Sequence, residues 1–323
     1  MKALVTGANG FLGSWLCKRL LEEGYDVTAL IRKNSDLSEI DHLKLKYAYG
    51  DVTDKPSLQT AFKNQEYIFH LAGVVAYAKH QRQLMNKVNV EGTQNVVDIL
   101  IEQQSAKLLN LSSVVAIGSS FKPEILNENS DYLISDLNLG YFETKRIAEN
   151  IVTRAAKNNL IHAINVNPST IYGFGDAKKG SRKNQIKVAQ GKLPFYTRGG
   201  VNVVSVEDVC DGIIQAIQSG HSGERYILSS DNMTIKDLFS KIAYFAGVKA
   251  PSIYLPFWLL KILGHIGDIR QKGLTTENAY TSSMFHWFDC HKAKQNLGFK
   301  PKSSDIAIEN SVRWMKDNGY LSL

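Results

Sequence analysis

Tyr141 and Lys145 stand four residues apart in Tyr141-Phe142-Glu143-Thr144-Lys145, where a helical pattern opens. On a helix that spacing puts both side chains on one face. The chemistry such a pair could do is proton transfer. A free tyrosine has a pKa of about 10, too high to shuttle a proton near neutrality. A lysine ammonium about 4 Å away, at an effective dielectric of about 20, is worth roughly 4 kcal/mol. At about 1.36 kcal/mol per pKa unit, that lowers the phenol by roughly three units. The spacing alone is uninformative, because 14 tyrosines and 28 lysines in 323 residues give about one such pair at random. Its place carries the weight. The only Tyr-x-x-x-Lys in the chain opens the helix that follows a strand-like run ending at Ser112 and Ser113.

A second constellation lies at the start, in Lys2-Ala3-Leu4-Val5-Thr6-Gly7-Ala8-Asn9-Gly10-Phe11-Leu12-Gly13. It reads as a short apolar strand, a glycine turn and a helix from 11 to about 23. Gly7 allows the tight turn, Gly10 lets backbone approach a pyrophosphate, and Gly13 lets the helix lie close on the sheet. The amides and positive dipole end at the helix start then face an anion. Asn9, Phe11 and Leu12 belong to the same turn and are expected with the glycines at a dinucleotide. A second strand at 26–31 completes the strand-to-helix context that gives the glycine trio its meaning.

The elements that must hold these residues alternate. Strand-like runs occur at 2–5, 26–31, 44–49, 67–71, 107–111 and 162–167, with helical patterns between them, the longest from about 80 to 104. That order predicts an α/β chain with a doubly wound parallel sheet covered on both faces. In such sheets ligands bind beyond the carboxyl ends of the strands, so the residue after each strand is where function is sought. After the second strand stands Arg32 instead of an acid. A guanidinium suits a 2′-phosphate, which points to NADP, with NAD as the alternative. After the third come Asp51, placed to accept from an adenine amino group, and Val52, placed to pack on the ring. After the fourth, Leu71, Ala72 and Gly73 let a dinucleotide cross the sheet edge, and His70 reads as a core histidine inside the strand. After the fifth, a hydroxyl of Ser112 or Ser113 faces the cofactor crevice. An irregular stretch from 119 to 140 separates it from the Tyr141 helix.

Length and composition set bounds. At 323 residues the chain exceeds one ordinary core, so a large α/β domain with a smaller one is expected. The first strand begins at residue 2, so a signal or transit peptide is not expected. The longest apolar stretch, 253–269, is interrupted by Pro256, Lys261 and His265 and falls short of the roughly 20 residues of a membrane span. It reads as a helix over an apolar pocket, without stable membrane insertion, with loose contact with a membrane surface as the alternative. Cys17, Cys210 and Cys290 suggest neither a disulfide framework nor a metal site. A cytoplasmic location is expected. The net charge of +7 is scattered with no basic run, which argues against nucleic acid and leaves a small-molecule substrate as the expected partner.

Taken together, the motifs resemble an extended short-chain dehydrogenase/reductase of the NAD-dependent epimerase/dehydratase kind. The residues that carry the resemblance are Thr6-Gly7-x-x-Gly10-x-x-Gly13, Asp51-Val52, His70-Leu71-Ala72-Gly73, Asn89-Val90-x-Gly92-Thr93-x-Asn95-Val96, Ser112-Ser113, Tyr141-x-x-x-Lys145 and Asn167-Pro168-Ser169-Thr170-Ile171-Tyr172-Gly173. Val203-Val204-x-Val206-x-Asp208-Val209, Gly223-Glu224-Arg225-Tyr226 and Asn296-Leu297-Gly298-Phe299-x-Pro301 extend it to the end of the chain. The chain is most similar to the dihydroflavonol-reductase-like branch, which neighbours the 3β-hydroxysteroid dehydrogenases and hopanoid-associated sugar epimerase-like proteins.

The resemblance implies a Rossmann domain and gives roles. Tyr141 would be the general acid/base and Lys145 its partner, lowering its pKa and holding a ribose hydroxyl. Ser113 would orient the substrate carbonyl, chosen over Ser112 because the family places that serine five residues before the glycine, here Gly118. Pro168, Ser169, Thr170 and Ile171 would contact the nicotinamide end. A homodimer through helices is also implied.

The Rossmann domain is expected at 1–168 plus about 201–230. A smaller, mostly helical cap is expected at about 169–200 plus 231–323, with helices at 235–245, 257–269 and 305–318. The reaction expected is NADP-dependent interconversion of a carbonyl and an alcohol on a small apolar substrate, the apolar run 254–260 being the hint. A nucleotide-sugar epimerase that retains NAD is the alternative, and a silent dinucleotide sensor a third. A 4,6-dehydratase is disfavoured, since Ser113-Val114-Val115 stands where those enzymes carry Thr-Asp-Glu.

Overall fold

The structure is a computed structural model that describes residues 1–104, 106–178 and 182–321. Residues 179–181 and 322–323, at positions expected for the cap, lie outside the described residues. The chain runs β1 (Lys2–Thr6), α1 (Phe11–Glu22), β2 (Asp26–Ile31), β3 (Lys46–Tyr49), α2 (Lys55–Phe62), β4 (Tyr67–His70), α3 (Arg82–Met85), α4 (Gly92–Gln103) and β5 (Lys107–Leu111). It continues through β6 (Ile125–Leu126), α5 (Gly140–Lys157), β7 (Ala163–Pro168), β8 (Thr170–Tyr172), α6 (Lys183–Ala189), β9 (Phe195–Tyr196), β10 (Gly200–Ser205), α7 (Val206–Ser219) and β11 (Arg225–Leu228). The last third holds β12 (Asp231–Thr234), α8 (Ile235–Ala246), β13 (Ile253–Tyr254), α9 (Phe257–Arg270), α10 (Thr276–Thr281), β14 (Phe285–Phe288), α11 (His291–Leu297) and α12 (Ser304–Asp317).

Short apolar runs form the centre. β1 is buried from its second residue onward and β7 throughout, as strands covered on both faces must be. Seven parallel strands lie in the order β11-β7-β5-β4-β1-β2-β3. Helices α1, α7 and α11 pack on one face through Leu16, Ile213 and Leu297. Helices α2, α4 and α5 cover the other through Phe62, Leu100 and Val152. The fold is the doubly wound Rossmann type read from the alternation. The chain leaves β1 in one direction through β2 and β3, and in the other through β4 and β5. The reversal falls between β1 and β4, the switch point where ligands bind in such sheets.

The stretch from 201 is divided. β10 joins a second sheet of order β12-β10-β14-β6, with β8 also on β10, while α7 and β11 belong to the main layers. The smaller region thus carries this sheet besides its helices. Its strands have two to six residues, too few for alternation to announce. Its core gathers Val201 and Val203 of β10 with Leu238 and Ile242 of α8 and Ile308 and Val312 of α12.

Candidate active site

Register lines up the strand ends. Thr6 pairs with His70 and with Leu30, His70 with Asn110, Ile31 with Tyr49, and Leu111 with Val166. Because all these strands are parallel, the residues that follow them share one edge: Gly7, Arg32, Gly50, Leu71, Ser112 and Asn167. This is where the sequence places the cofactor.

The dinucleotide end is made mostly of backbone. Gly7 has φ +68°, and a Cβ there would lie 2.9 Å from the Ala72 nitrogen. A Cβ on Gly13 would sit 2.1 Å from the Gly7 carbonyl oxygen, so α1 lies against its own turn only because that position is glycine. Gly10 caps α1 without a side-chain acceptor, leaving the positive end of the helix for an outside anion. Leu12 is buried and Phe11 half-buried. The Asn9 amide donates to the Asp36 carbonyl at 3.1 Å, tying the glycine turn to the loop after β2. Arg32 is exposed in that loop, its amide donating to Ser35 Oγ at 3.2 Å.

Thr6 fixes the facing strand end. Its hydroxyl accepts from the Leu71 and Ala72 amides, both at 3.1 Å, and meets His70 Nδ1 at 2.9 Å. Thr93 Oγ1 lies 3.1 Å from His70 Nε2 and donates to the Asn89 carbonyl at 2.7 Å. His70 is therefore buried with both nitrogens engaged. Burial, with the nearby Lys145 charge, lowers its pKa to about 3, so it stays neutral as a core histidine does. Gly73 is open to solvent, and a side chain there would meet Asn89 Oδ1 and Lys145 Nζ. These residues fit an anionic dinucleotide: a positive-φ glycine turn, an uncapped helix start and a side-chain-free crossing at Gly73.

Two expected adenine contacts are placed differently. Asp51 Oδ1 accepts from Thr53 N and Thr53 Oγ1, both at 2.9 Å, so that oxygen folds its own turn. The Val52 side chain is buried in the core, with a methyl 2.9 Å from where a Cβ of Gly92 would stand. That side chain therefore packs against α4.

The Tyr141 end is made of side chains. Ser113 caps the 3-10 turn Val114–Ala116, its Oγ accepting from Val115 N at 3.4 Å. The same hydroxyl acts on the Tyr141 phenol, favouring its ionised form. Ser112, by contrast, is buried with no partner for its Oγ. Tyr141 is buried in an apolar cluster with Ala76, Met85, Leu139 and Met284, and its ring meets Tyr77 edge-on at 6.2 Å.

Burial and Tyr77 push the Tyr141 phenol up, opposed only by the Ser113 hydroxyl. Lys145 is not among the groups that set this shift; its Nζ donates to the Leu111 carbonyl at 2.8 Å. Lys145 is itself lowered to about 8 by burial, with Glu149 acting in the opposite direction. The group brought close to neutrality is the lysine.

Pro168 at the end of β7 and Ser169 just beyond it are buried, and Thr170 and Ile171 are half-buried in β8. Ser169 Oγ donates to Asn202 Oδ1 at 2.7 Å, joining the nicotinamide-side segment to β10.

Several positioning residues were given no role from the sequence, Asn89, Asn167 and Arg225 standing there only within motifs. Asn89 sits in a π-helical turn, Asn86–Glu91, of the kind found at functional sites. It accepts from Val74 N at 2.7 Å and donates to Val74 O at 2.9 Å and Thr144 Oγ1 at 3.2 Å, so it ties the Gly73 crossing to α5. Glu149 accepts from Asn167 Nδ2 at 2.6 Å and pairs with Arg225 at 3.1 Å, while Asn167 also donates to the Ser113 carbonyl at 2.9 Å. Its signal was present, since 141, 145 and 149 repeat every four residues on one helix face. Glu277 left none. From α10 it accepts from Gly140 N at 3.2 Å and pairs with Arg82 at 2.7 Å, holding the start of α5 across 137 residues of sequence.

A model of the NAD dependent epimerase/dehydratase family matches residues 3–229. The chain is 29% identical over 330 residues to a putative dihydroflavonol 4-reductase of Synechocystis sp., covering 98% of this chain and 95% of that protein. It is 27% identical over 332 residues to sterol demethylase protein B of Methylococcus capsulatus, covering 99% and 100%. The crystal structure of gox2253 superposes with a TM-score of 0.89 at 32% identity, covering 99% of each chain.

Proposed function

The chain belongs to the NAD dependent epimerase/dehydratase family, and on that premise we propose that it is an NADP-dependent reductase of an apolar carbonyl substrate. It is an NAD(P)-dependent oxidoreductase of the extended short-chain dehydrogenase/reductase type; the direction, the coenzyme preference and the substrate class are the proposal. The observation that carries it is the burial of the Tyr141 side chain, four residues before Lys145 on α5, inside the apolar cluster of Ala76, Met85 and Met284.

A nicotinamide dinucleotide, when bound, supplies the hydride. The chain supplies position and the proton. Burial keeps the Tyr141 phenol protonated through neutral pH, so it is set to give its proton to the oxygen that gains charge as a carbonyl is reduced. The Ser113 hydroxyl is a second donor to that oxygen. Lys145, near Gly73 and held by the Leu111 carbonyl, would reach a ribose hydroxyl, and burial lowers its pKa to about 8. Residues 168–171 would close on the nicotinamide end, and exposed Arg32 would receive a 2′-phosphate. The apolar walls around Tyr141 and relatives named for a dihydroflavonol and a sterol support an apolar substrate.

The test follows reduced-nicotinamide absorbance with NADPH and a panel of flavonoid-like ketones, sterol ketones, simple aldehydes and nucleotide sugars. Loss of NADPH with a ketone, abolished in Tyr141→Phe, is the expected result. Conversion of a nucleotide sugar without net NADPH loss, with NAD copurifying, would replace the reductase by an epimerase.

A further inference from the structure

Helix α9 combines apolar sequence with exposure in a way that a packed helix does not. Leu260, Gly264 and Gly267, spaced four and three, form its buried side. A Cβ on Gly264 or Gly267 would strike the backbone of Thr275 or Leu274, so the helix is pressed tightly against the segment leading into α10. Trp258, Ile262, Ile266 and Ile269, spaced four, four and three, form the opposite side. They are 64%, 51%, 40% and 72% exposed. A water-facing helix side ordinarily carries polar residues; here it is the apolar one.

The charges around this stripe have one sign. Lys261 flanks it on one side and Arg270 on the other, with Lys272 just beyond the helix, all exposed. Lys261 Nζ rests 5.7 Å from the Phe257 ring centroid and 5.8 Å from that of Tyr280, leaving its charge at the rim. The only carboxylate on the helix, Asp268, is turned inward, pairing with Lys79 at 3.7 Å and accepting from Thr276 N at 3.3 Å. The N-terminal end of α9 also adjoins the site. Phe257 packs on Phe121 and Tyr280, and Tyr280 packs on the cluster that contains Tyr141.

From this placement we propose that α9 docks the enzyme on an anionic lipid surface, lying in the membrane interface with Trp258, Ile262, Ile266 and Ile269 inserted and Lys261, Arg270 and Lys272 on lipid headgroups. The 14 residues of α9 give a rod of about 21 Å, short of the hydrocarbon core of about 30 Å. No helix among the described residues is long and apolar enough to cross a membrane. The helix therefore lies on the bilayer. A second copy of the chain is the poorer occupant. Four side chains fall well short of the roughly 800 Å² that each partner of a stable complex buries, and two cationic rims would repel. The inference rests on the geometry of α9 and not on the reaction assigned above.

The experiment is cosedimentation of the full chain with vesicles of phosphatidylcholine alone and with added phosphatidylserine, read together with tryptophan emission. Binding to the anionic vesicles, weakened by salt and accompanied by a blue shift lost in Trp258→Phe, is expected. Ile262→Glu with Ile266→Glu should lower the bound fraction at least about tenfold, and Lys261→Glu with Arg270→Glu about tenfold or more. Nucleotide binding retained in either double variant certifies its fold. Equal weak partition to both vesicle types would overturn the proposal. So would a dimer that the stripe substitutions dissociate while vesicle binding is absent. Neither readout needs turnover, so failure here is separate from failure of the reductase reading.

Discussion

The two ends of the cofactor crevice are built on different principles. The dinucleotide end is backbone: a positive-φ turn at Gly7, a helix start at Gly10 and a close packing at Gly13, all within seven residues. The Tyr141 end is a set of side chains gathered from the turn after β5, the π turn, α5, β7 and α10, with Ser113, Asn89, Asn167 and Glu277 held by hydrogen bonds across the chain and Tyr141 buried. A local device tolerates change elsewhere and fails abruptly when its own glycines are altered. An assembled device has many weak points, each with a modest effect, apart from the atom that carries the proton.

That contrast can be broken most sharply at Tyr141. Tyr141→Phe should lower kcat about a thousandfold, within the range of general acid catalysis, while the dissociation constant for NADPH by fluorescence titration stays within about twofold. A parallel loss of nucleotide affinity would show the two ends to be one unit. At the other end, Gly13→Ala puts a methyl where the Gly7 carbonyl already stands. It should cost about 1–3 kcal/mol of stability in denaturant unfolding and weaken NADPH and NADH alike, because the turn is shared by both.

Arg32→Glu should raise the KM for NADPH by about ten- to hundredfold, the loss of a charge-assisted contact, and leave NADH nearly unchanged. Equal effects on both coenzymes would remove Arg32 from the 2′-phosphate. The smallest effect expected is at Glu149. Its carboxylate raises the Lys145 pKa against desolvation. Glu149→Gln keeps the Asn167 acceptor and removes the charge, so Lys145 should fall further below about 8. The alkaline limb of the pH–rate profile then moves to lower pH, and kcat at neutrality drops by about three- to tenfold. An unmoved limb would assign the profile to another group.

The same contrast explains what could be read from the residues in order. The seven-residue glycine device was legible because its physics is local: a turn that needs positive φ and a helix start that needs no side chain. The alternation of strands and helices gave the doubly wound sheet for a similar reason, since burial on both faces leaves near-continuous apolar strands. Tyr141, Lys145 and Ser113 were legible as a set only through order along the chain and the motifs around them. Glu149 lay on the same four-residue repeat and went unremarked. Glu277 could not be found, because a lone glutamate in the cap carries no sign that it reaches Gly140.

By itself the sequence determined the α/β fold, the edge of the sheet where a dinucleotide belongs and the candidate proton donor, because periodicity, turn chemistry and spacing along a helix are properties of neighbours. Only the tertiary structure decided the protonation state of that donor and the surface around it. Burial in a cluster drawn from distant segments drives the Tyr141 phenol up and Lys145 down, and no spacing encodes how much water is left at a site. The direction in which α9 turns its isoleucines was settled in the same way. The helix is apolar nearly all round, and which face meets the protein depended on where Leu274 and Thr275 leave room for two glycines.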